Sequence, residues 1–279
     1  MKKSILLLFL AVWLWSSSQA QTLEWSDNRI AKLFDRMDYW GDFCYKDPHN
    51  KKVDSLRVSG GRIYDFVEDL IVMYPYALDG DFPKAKEKGL HYVTSDDGQL
   101  RIYSWLAKME GHEGVPHAEY RDVAGFKTSA GRKYHDISNG TEGAYCTNIT
   151  MVQTKKNIPI YLVNYYTVHD GIKMEKIKAY ALKDGGIREI SSFIDGTKNP
   201  KQLWCDYALE RGHSETDAPE IHLSPDKQKL YVPVTERVGG RYVLTDKYEV
   251  FLFNGFMYIN EKPAGEKHAV EQGASHLSQ

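Results

Sequence analysis

The chain has 279 residues, 42% of them hydrophobic, 27% charged and 13% aromatic, with a formal net charge of −2. These proportions belong to a globular protein with its own core and exclude a disordered, collagenous or multi-span membrane chain. The near balance of charge leaves no basic field of the kind that marks a nucleic-acid binder, so no nucleic-acid partner is expected.

Lys2 and Lys3 precede an apolar run from Ile5 to Trp15, and Ser18 and Ala20 supply the small residues of a signal-peptidase site. This order predicts a signal peptide over 1–20, cleaved between Ala20 and Gln21, with delivery to the periplasm or the cell exterior. The run is shorter than the roughly 20 apolar residues that a bilayer requires. No later segment approaches that length, so no transmembrane segment is expected after cleavage.

From Ser26 to Cys44, the residues Ile30, Leu33, Phe34, Met37, Trp40 and Cys44 recur at steps of three and four. That spacing predicts a helix over 26–45 with one buried face, capped by Ser26 or Asp27. Ile63, Phe66, Val67, Leu70 and Tyr74 predict a second helix over 62–74, preceded by Gly60-Gly61 and stopped by Pro75. Pro83 opens a short third helix that ends before Gly89.

After Gly89 the period falls to two, and Tyr, Val and Ile dominate. Apolar segments flank Ser95–Gly98, Thr154–Asn157, Asp184–Gly186 and Asn254-Gly255, each a hairpin-turn signal. Successive hairpins imply an antiparallel meander. The fold class is therefore α+β. A helical N-terminal segment over 21–89 packs with a large, sandwich-like antiparallel β region over 90–263, and a flexible tail follows over 264–279. The alternative is a small propeller-like array. Ser95-Asp96-Asp97-Gly98-Gln99-Leu100 and Ser224-Pro225-Asp226-Lys227-Gln228-Lys229-Leu230 share a turn-then-strand signature, spaced by about three blades of roughly 40–45 residues. Ser138-Asn139-Gly140 and Lys183-Asp184-Gly185 fall near the intermediate positions.

Two strand segments carry a resemblance. Asp97-Gly98-Gln99-Leu100-Arg101-Ile102-Tyr103-Ser104-Trp105 and Tyr248-Glu249-Val250-Phe251-Leu252-Phe253-Asn254-Gly255 resemble segments of uncharacterised exported proteins of Bacteroidetes-type bacteria. The resemblance implies an exported bacterial protein and carries no activity or catalytic residue with it.

Export gives Cys44, Cys146 and Cys205 access to an oxidising compartment. An odd count leaves at least one thiol unpaired. Cys44 falls on the apolar face of the first helix, which leaves Cys146 and Cys205 as the disulfide candidate.

Nucleotide-binding glycine loops and the serine-hydrolase elbow are missing from the chain, and no cofactor is expected. His112, Glu113 and His117 are weak metal candidates, because two zinc-protease histidines stand four apart on a helix and these stand five apart beside Gly114 and Pro116. Asp96 and Asp97 sit at a hairpin tip, where carboxylates bond the turn backbone. Along the strand from Gln99, Leu100 and Ile102 share one face while Arg101, Tyr103 and Trp105 share the other. If Leu100 and Ile102 face the core, Arg101, Tyr103 and Trp105 form a binding platform; if both faces are covered, they do not. The lack of catalytic motifs favours a non-catalytic binding or structural protein of the cell envelope, with an unknown ligand or envelope component as partner. The alternative is an envelope hydrolase whose carboxylates or histidines only a fold would reveal.

Overall fold

Ile30, Leu33, Phe34 and Met37 recur at helical spacing and are all buried, so the first helix turns one apolar stripe inward. The computed structural model describes residues 21–42, 53–110, 116–138, 144–169, 172–196, 198, 200–208 and 220–260. Residues 1–20, expected to form a signal peptide, Cys44 and residues 264–279, expected to form a tail, lie outside them. Helix α1 covers 21–42, and α2 covers Val53–Met73. A 3₁₀ turn at Pro75–Leu78 and the short α3, Pro83–Glu87, complete the helical front. No helix among the described residues is long and apolar enough to cross a membrane.

Three sheets follow. The first holds β1 (His91–Thr94), β2 (Leu100–Glu110), β3 (Pro116–Thr128) and β4 (Gly131–Asp136) in chain order. The second is built from β5 (Tyr145–Gln153), β6 (Pro159–His169), β7 (Ile172–Lys183) and β10 (Gln202–Ala208), ordered β10-β7-β6-β5, with β8 (Gly186–Glu189) also paired to β7. The third joins β9 (Phe193–Asp195), β11 (His222–Leu223), β12 (Lys229–Val238), β13 (Arg241–Phe253) and β14 (Tyr258–Asn260), ordered β11-β12-β13-β14-β9. Its β14–β9 pair is parallel, a departure from the expected meander, because β9 reaches this edge straight from the second sheet.

The layers follow from strand alternation. Tyr103, Trp105 and Val123 of the first sheet pack on the helices. Leu100, Ile102 and Phe126 on its other face meet Ile149, Tyr161 and Val163 of the second sheet. Leu162, Ile177 and Leu203 on the far face of the second sheet meet Leu230, Phe251 and Tyr258 of the third. The order is thus helices, first sheet, second sheet, third sheet, and the first two sheets are covered on both faces. At Gly125 a Cβ would lie 3.0 Å from a Leu78 methyl and 3.1 Å from Ile71, so the helical layer lies against bare backbone there.

The second helix begins nine residues earlier than the glycine pair suggests. Leu56 and Ser59 are buried, and burial before the glycines carries the helix through Gly60 and Gly61. Each sheet's first hairpin uses the same tight turn, with a left-handed residue at Gly98 (φ 64°), Asn157 (φ 57°) and Lys227 (φ 58°). Thr154, Ser95 and Ser224 are therefore equivalent, and their unequal spacing is not that of a regular blade repeat. The second sheet inserts β8 and the connection to β10 between Thr154 and Ser224. Asp184-Gly185 closes a plain hairpin between β7 and β8, and Asn139-Gly140 lies outside the described residues.

The disulfide expected between Cys146 and Cys205 is not formed: both thiols are free and buried. Cys146 is on β5 and Cys205 on β10, with β6 and β7 between them. Three strand spacings of about 4.8 Å place them roughly 14 Å apart, twice the reach of a disulfide. Burial pushes both thiols above their ordinary pKa.

Candidate functional site

Arg101, Tyr103 and Trp105 do share a face, but that face is interior: they are 4%, 0% and 1% exposed. The helical layer covers it, so the expected platform is a buttress. Arg101 donates from Nη1 to the carbonyl of Gly80 at 2.7 Å and of Ala77 at 3.2 Å, and from Nε to Thr94 Oγ1 at 2.6 Å. Its guanidinium lies 4.9 Å from the centre of the Tyr92 ring. The Tyr103 hydroxyl also donates to the Ala77 carbonyl. These bonds satisfy carbonyls at and just beyond the 3₁₀ turn, and burial beneath the helices closes the face to a ligand.

His112 and Glu113 lie outside the described residues. His117 pairs with Met109 in the β2–β3 ladder, and its side chain is outside them as well. Among the described residues no cluster of three metal-ligating side chains occurs.

The site with convergent polar groups lies at one end of the second sheet, where the chain entering β11 passes over it. Register sets Tyr145 opposite Tyr166, Tyr166 opposite Glu175, and Glu175 opposite Cys205, so one row of side chains crosses four strands. At β10 the row joins the core shared with the third sheet, while Tyr145 at its other end reaches His91 and Tyr120 of the first. Asn164, two residues before Tyr166, shares its side of β6. Asn164 Nδ2 donates to the Ile221 carbonyl at 2.9 Å, and the Ile221 amide donates to Glu175 Oε2 at 2.7 Å. The Ile221 peptide is thus clasped from both ends, which fixes the roof.

Behind this wall lies a buried ion pair. Lys173 is fully buried, with Nζ 2.7 Å from Glu175 Oε1 and 3.8 Å from Glu220 Oε1. The same ammonium lies 5.1 Å from the centre of the Tyr166 ring and 5.8 Å from that of Tyr207. Burial raises the Glu175 pKa, and the Lys173 and Ile221 bonds oppose that rise. In front of the wall is a cavity of about 230 Å³, bounded by Tyr145, Asn164, Tyr165, Tyr166, Glu175 and Glu220. At its mouth Tyr145 stacks on His91 with ring centres 4.3 Å apart and meets Tyr166 edge-on at 5.6 Å. Burial and the Lys86 charge lower the His91 pKa, which favours the neutral ring in this stack.

A larger groove of about 420 Å³ runs between α1 and α2, past Trp25, Arg29 and Phe66. None of its lining side chains is buried, so nothing there holds a polar group in a fixed place. The smaller cavity is the better-built site.

None of its residues stands in a recognised motif. One signal was present: Lys173, Glu175, Lys176 and Lys178 crowd a strand that also reads as apolar. All four are buried, and four charges in a covered strand demand partners.

Fold and site together define an α+β protein of stacked antiparallel sheets with an acidic, tyrosine-lined pocket at one end of the second sheet, roofed by the chain entering β11. No protein-family model, curated protein or solved structure gives a significant match to the chain.

Proposed function

We propose that the protein is exported and binds a small polar molecule, without catalysis, in the pocket in front of Glu175. Export is supported by the order of charged, apolar and small residues over 1–20, and by the likeness of its strands to exported proteins of Bacteroidetes-type bacteria. Binding rests on one observation. One oxygen of Glu175 accepts the Ile221 amide, and the other is buried 2.7 Å from the Lys173 ammonium in an ion pair. A carboxylate held this way orients a wall, whereas a general acid or base needs an oxygen free to exchange a proton with substrate.

Envelope hydrolysis is the second reading, and the approach of Glu220 and Glu175 to the same ammonium favours it, since paired carboxylates serve glycoside hydrolysis. Saturation-transfer NMR of the full chain with a panel of monosaccharides and free amino acids separates the two. The binding reading expects transfer to at least one compound, lost in Tyr166→Ala, with no turnover. Hydrolysis of chromogenic glycosides, abolished in both Glu175→Gln and Glu220→Gln, would replace it with the hydrolase. The intact mass of the protein from its native host tests export; a mass retaining Met1 to Ala20 defeats it.

A further inference from the structure

We infer that the pocket selects a ligand carrying an ammonium group, of monosaccharide size or smaller; this rests on the binding reading above. Two carboxylates and three tyrosines line the cavity, and no lysine, arginine or histidine does so among the described residues. The nearest cation, Lys173, is fully buried behind the wall and spends its charge on Glu175 at 2.7 Å. Glu220 is left over. Its side chain is 66% exposed, and it reaches the same ammonium only at 3.8 Å. Two carboxylates against one ammonium leave one negative charge, which one monocation neutralises.

The tyrosines supply the second half of the recognition. A cation is attracted to the face of an aromatic ring within about 6 Å of its centre. The chain uses this arrangement on itself, with Lys173 held between the Tyr166 and Tyr207 rings. Tyr145 and Tyr166 meet at 78° with ring centres 5.6 Å apart, and both rings line the cavity together with the Glu220 carboxylate. An anion entering there meets like charge with no compensating donor of full charge. A neutral polyol finds hydrogen-bond partners but no charge to balance. At about 30 Å³ for each water of liquid, a cavity of about 230 Å³ holds one small molecule.

The test is calorimetric titration of the full chain with glucosamine, glucose, glucuronate and tetramethylammonium at low salt. Glucosamine is expected to bind about tenfold more tightly than glucose, with tetramethylammonium measurable and glucuronate undetectable. Raising the salt should narrow the glucosamine advantage, and Glu220→Gln should bring the glucosamine-to-glucose affinity ratio close to one. Because Glu220 is exposed, that variant should fold as the parent does. Equal binding of glucose and glucosamine would overturn the ammonium inference and leave the binding reading standing. Tighter binding of glucuronate would overturn it likewise. Failure of all four probes would overturn the ammonium inference, and the absence of saturation transfer to every monosaccharide and amino acid of the panel would end the binding reading as well.

Discussion

Ser95 and Ser224 make the same bonds at equivalent places in the first and third sheets. Each hydroxyl donates to the aspartate two residues on, Asp97 at 2.6 Å and Asp226 at 2.5 Å. Each accepts the amide five residues on, Leu100 at 3.0 Å and Lys229 at 2.9 Å. In the second sheet Thr154 accepts the Ile158 amide at 3.0 Å and donates to its carbonyl at 2.8 Å. The turns also bind the layers to one another. The Tyr161 hydroxyl of the second sheet donates to Asp97 Oδ2 at 2.9 Å, and Lys227 Nζ of the third donates to the Met151 carbonyl at 2.9 Å and to Asp96 Oδ2 at 3.1 Å.

Asp97→Ala should therefore lower the urea midpoint more than Asp226→Ala, because only Asp97 also carries a bond between sheets. The bond to Ser224 and that from the Gln228 amide lower the Asp226 pKa below its ordinary value of 3.8. A carboxyl with a depressed folded pKa contributes its stability above 3.8 and loses it as pH falls through the folded value. The Gln228 amide resonance should accordingly move only below pH 3.8, and a midpoint above that value would contradict the turn bonding.

Strand alternation placed Leu100 and Ile102 opposite Tyr103 and Trp105 correctly, since side-chain direction is local. It could not say that helices cover the second face, because that depends on how α2 returns over the sheet. The helix spacing of Ile63, Val67 and Leu70 was legible for the same local reason, while its true start was hidden by the glycine pair. The pocket was not legible. Its row, Tyr145 to Tyr166 to Glu175, is made by register across three strands, and its roof arrives from Ile221, 46 residues beyond Glu175. No local period encodes either. The Cys146–Cys205 pairing failed because an odd count of thiols gives no information on strand order.

Gly60 and Gly61 are helical without needing to be glycine. A Cβ at either meets nothing within 4 Å, and neither holds a left-handed φ. Gly60→Ala and Gly61→Ala should each stabilise the protein by about 0.5–1 kcal/mol through lost backbone freedom in the unfolded chain. Chemical denaturation with an unchanged slope would check this. A loss of stability at either position would mean that the helix is broken there.

Trp105 fills the core beneath the helices, and its indole N–H is buried without a partner among the described residues. Trp105→Ala should cost about 3–5 kcal/mol, the range for emptying a large buried aromatic site. Glucosamine affinity, measured on the folded fraction, should not change, since Trp105 packs toward the helices and does not line the pocket. A variant with its stability intact but its binding lost would return the residue to a ligand site.

Lys173 and Glu175 give the sharpest test of how the pocket wall is held. Removing one partner of a buried pair strands the other charge, at a cost of about 3–5 kcal/mol. Lys173→Met should show that loss near neutral pH, where Glu175 must otherwise be ionised. Burial already raises the Glu175 pKa above 4.5, and taking away the ammonium removes an opposing influence. A carboxyl whose folded pKa is raised holds its proton more tightly in the fold than in the unfolded chain. Stability of Lys173→Met should therefore be greatest below pH 4.5 and decline as pH rises from 4.5 through the folded value. Adding Glu175→Gln removes the stranded charge and keeps an oxygen to accept the Ile221 amide. The double variant should recover most of the loss and lose the pH dependence. If the single and double variants melt alike at pH 7, the pair does not hold the wall, and the Ile221 clasp alone sets the pocket's shape.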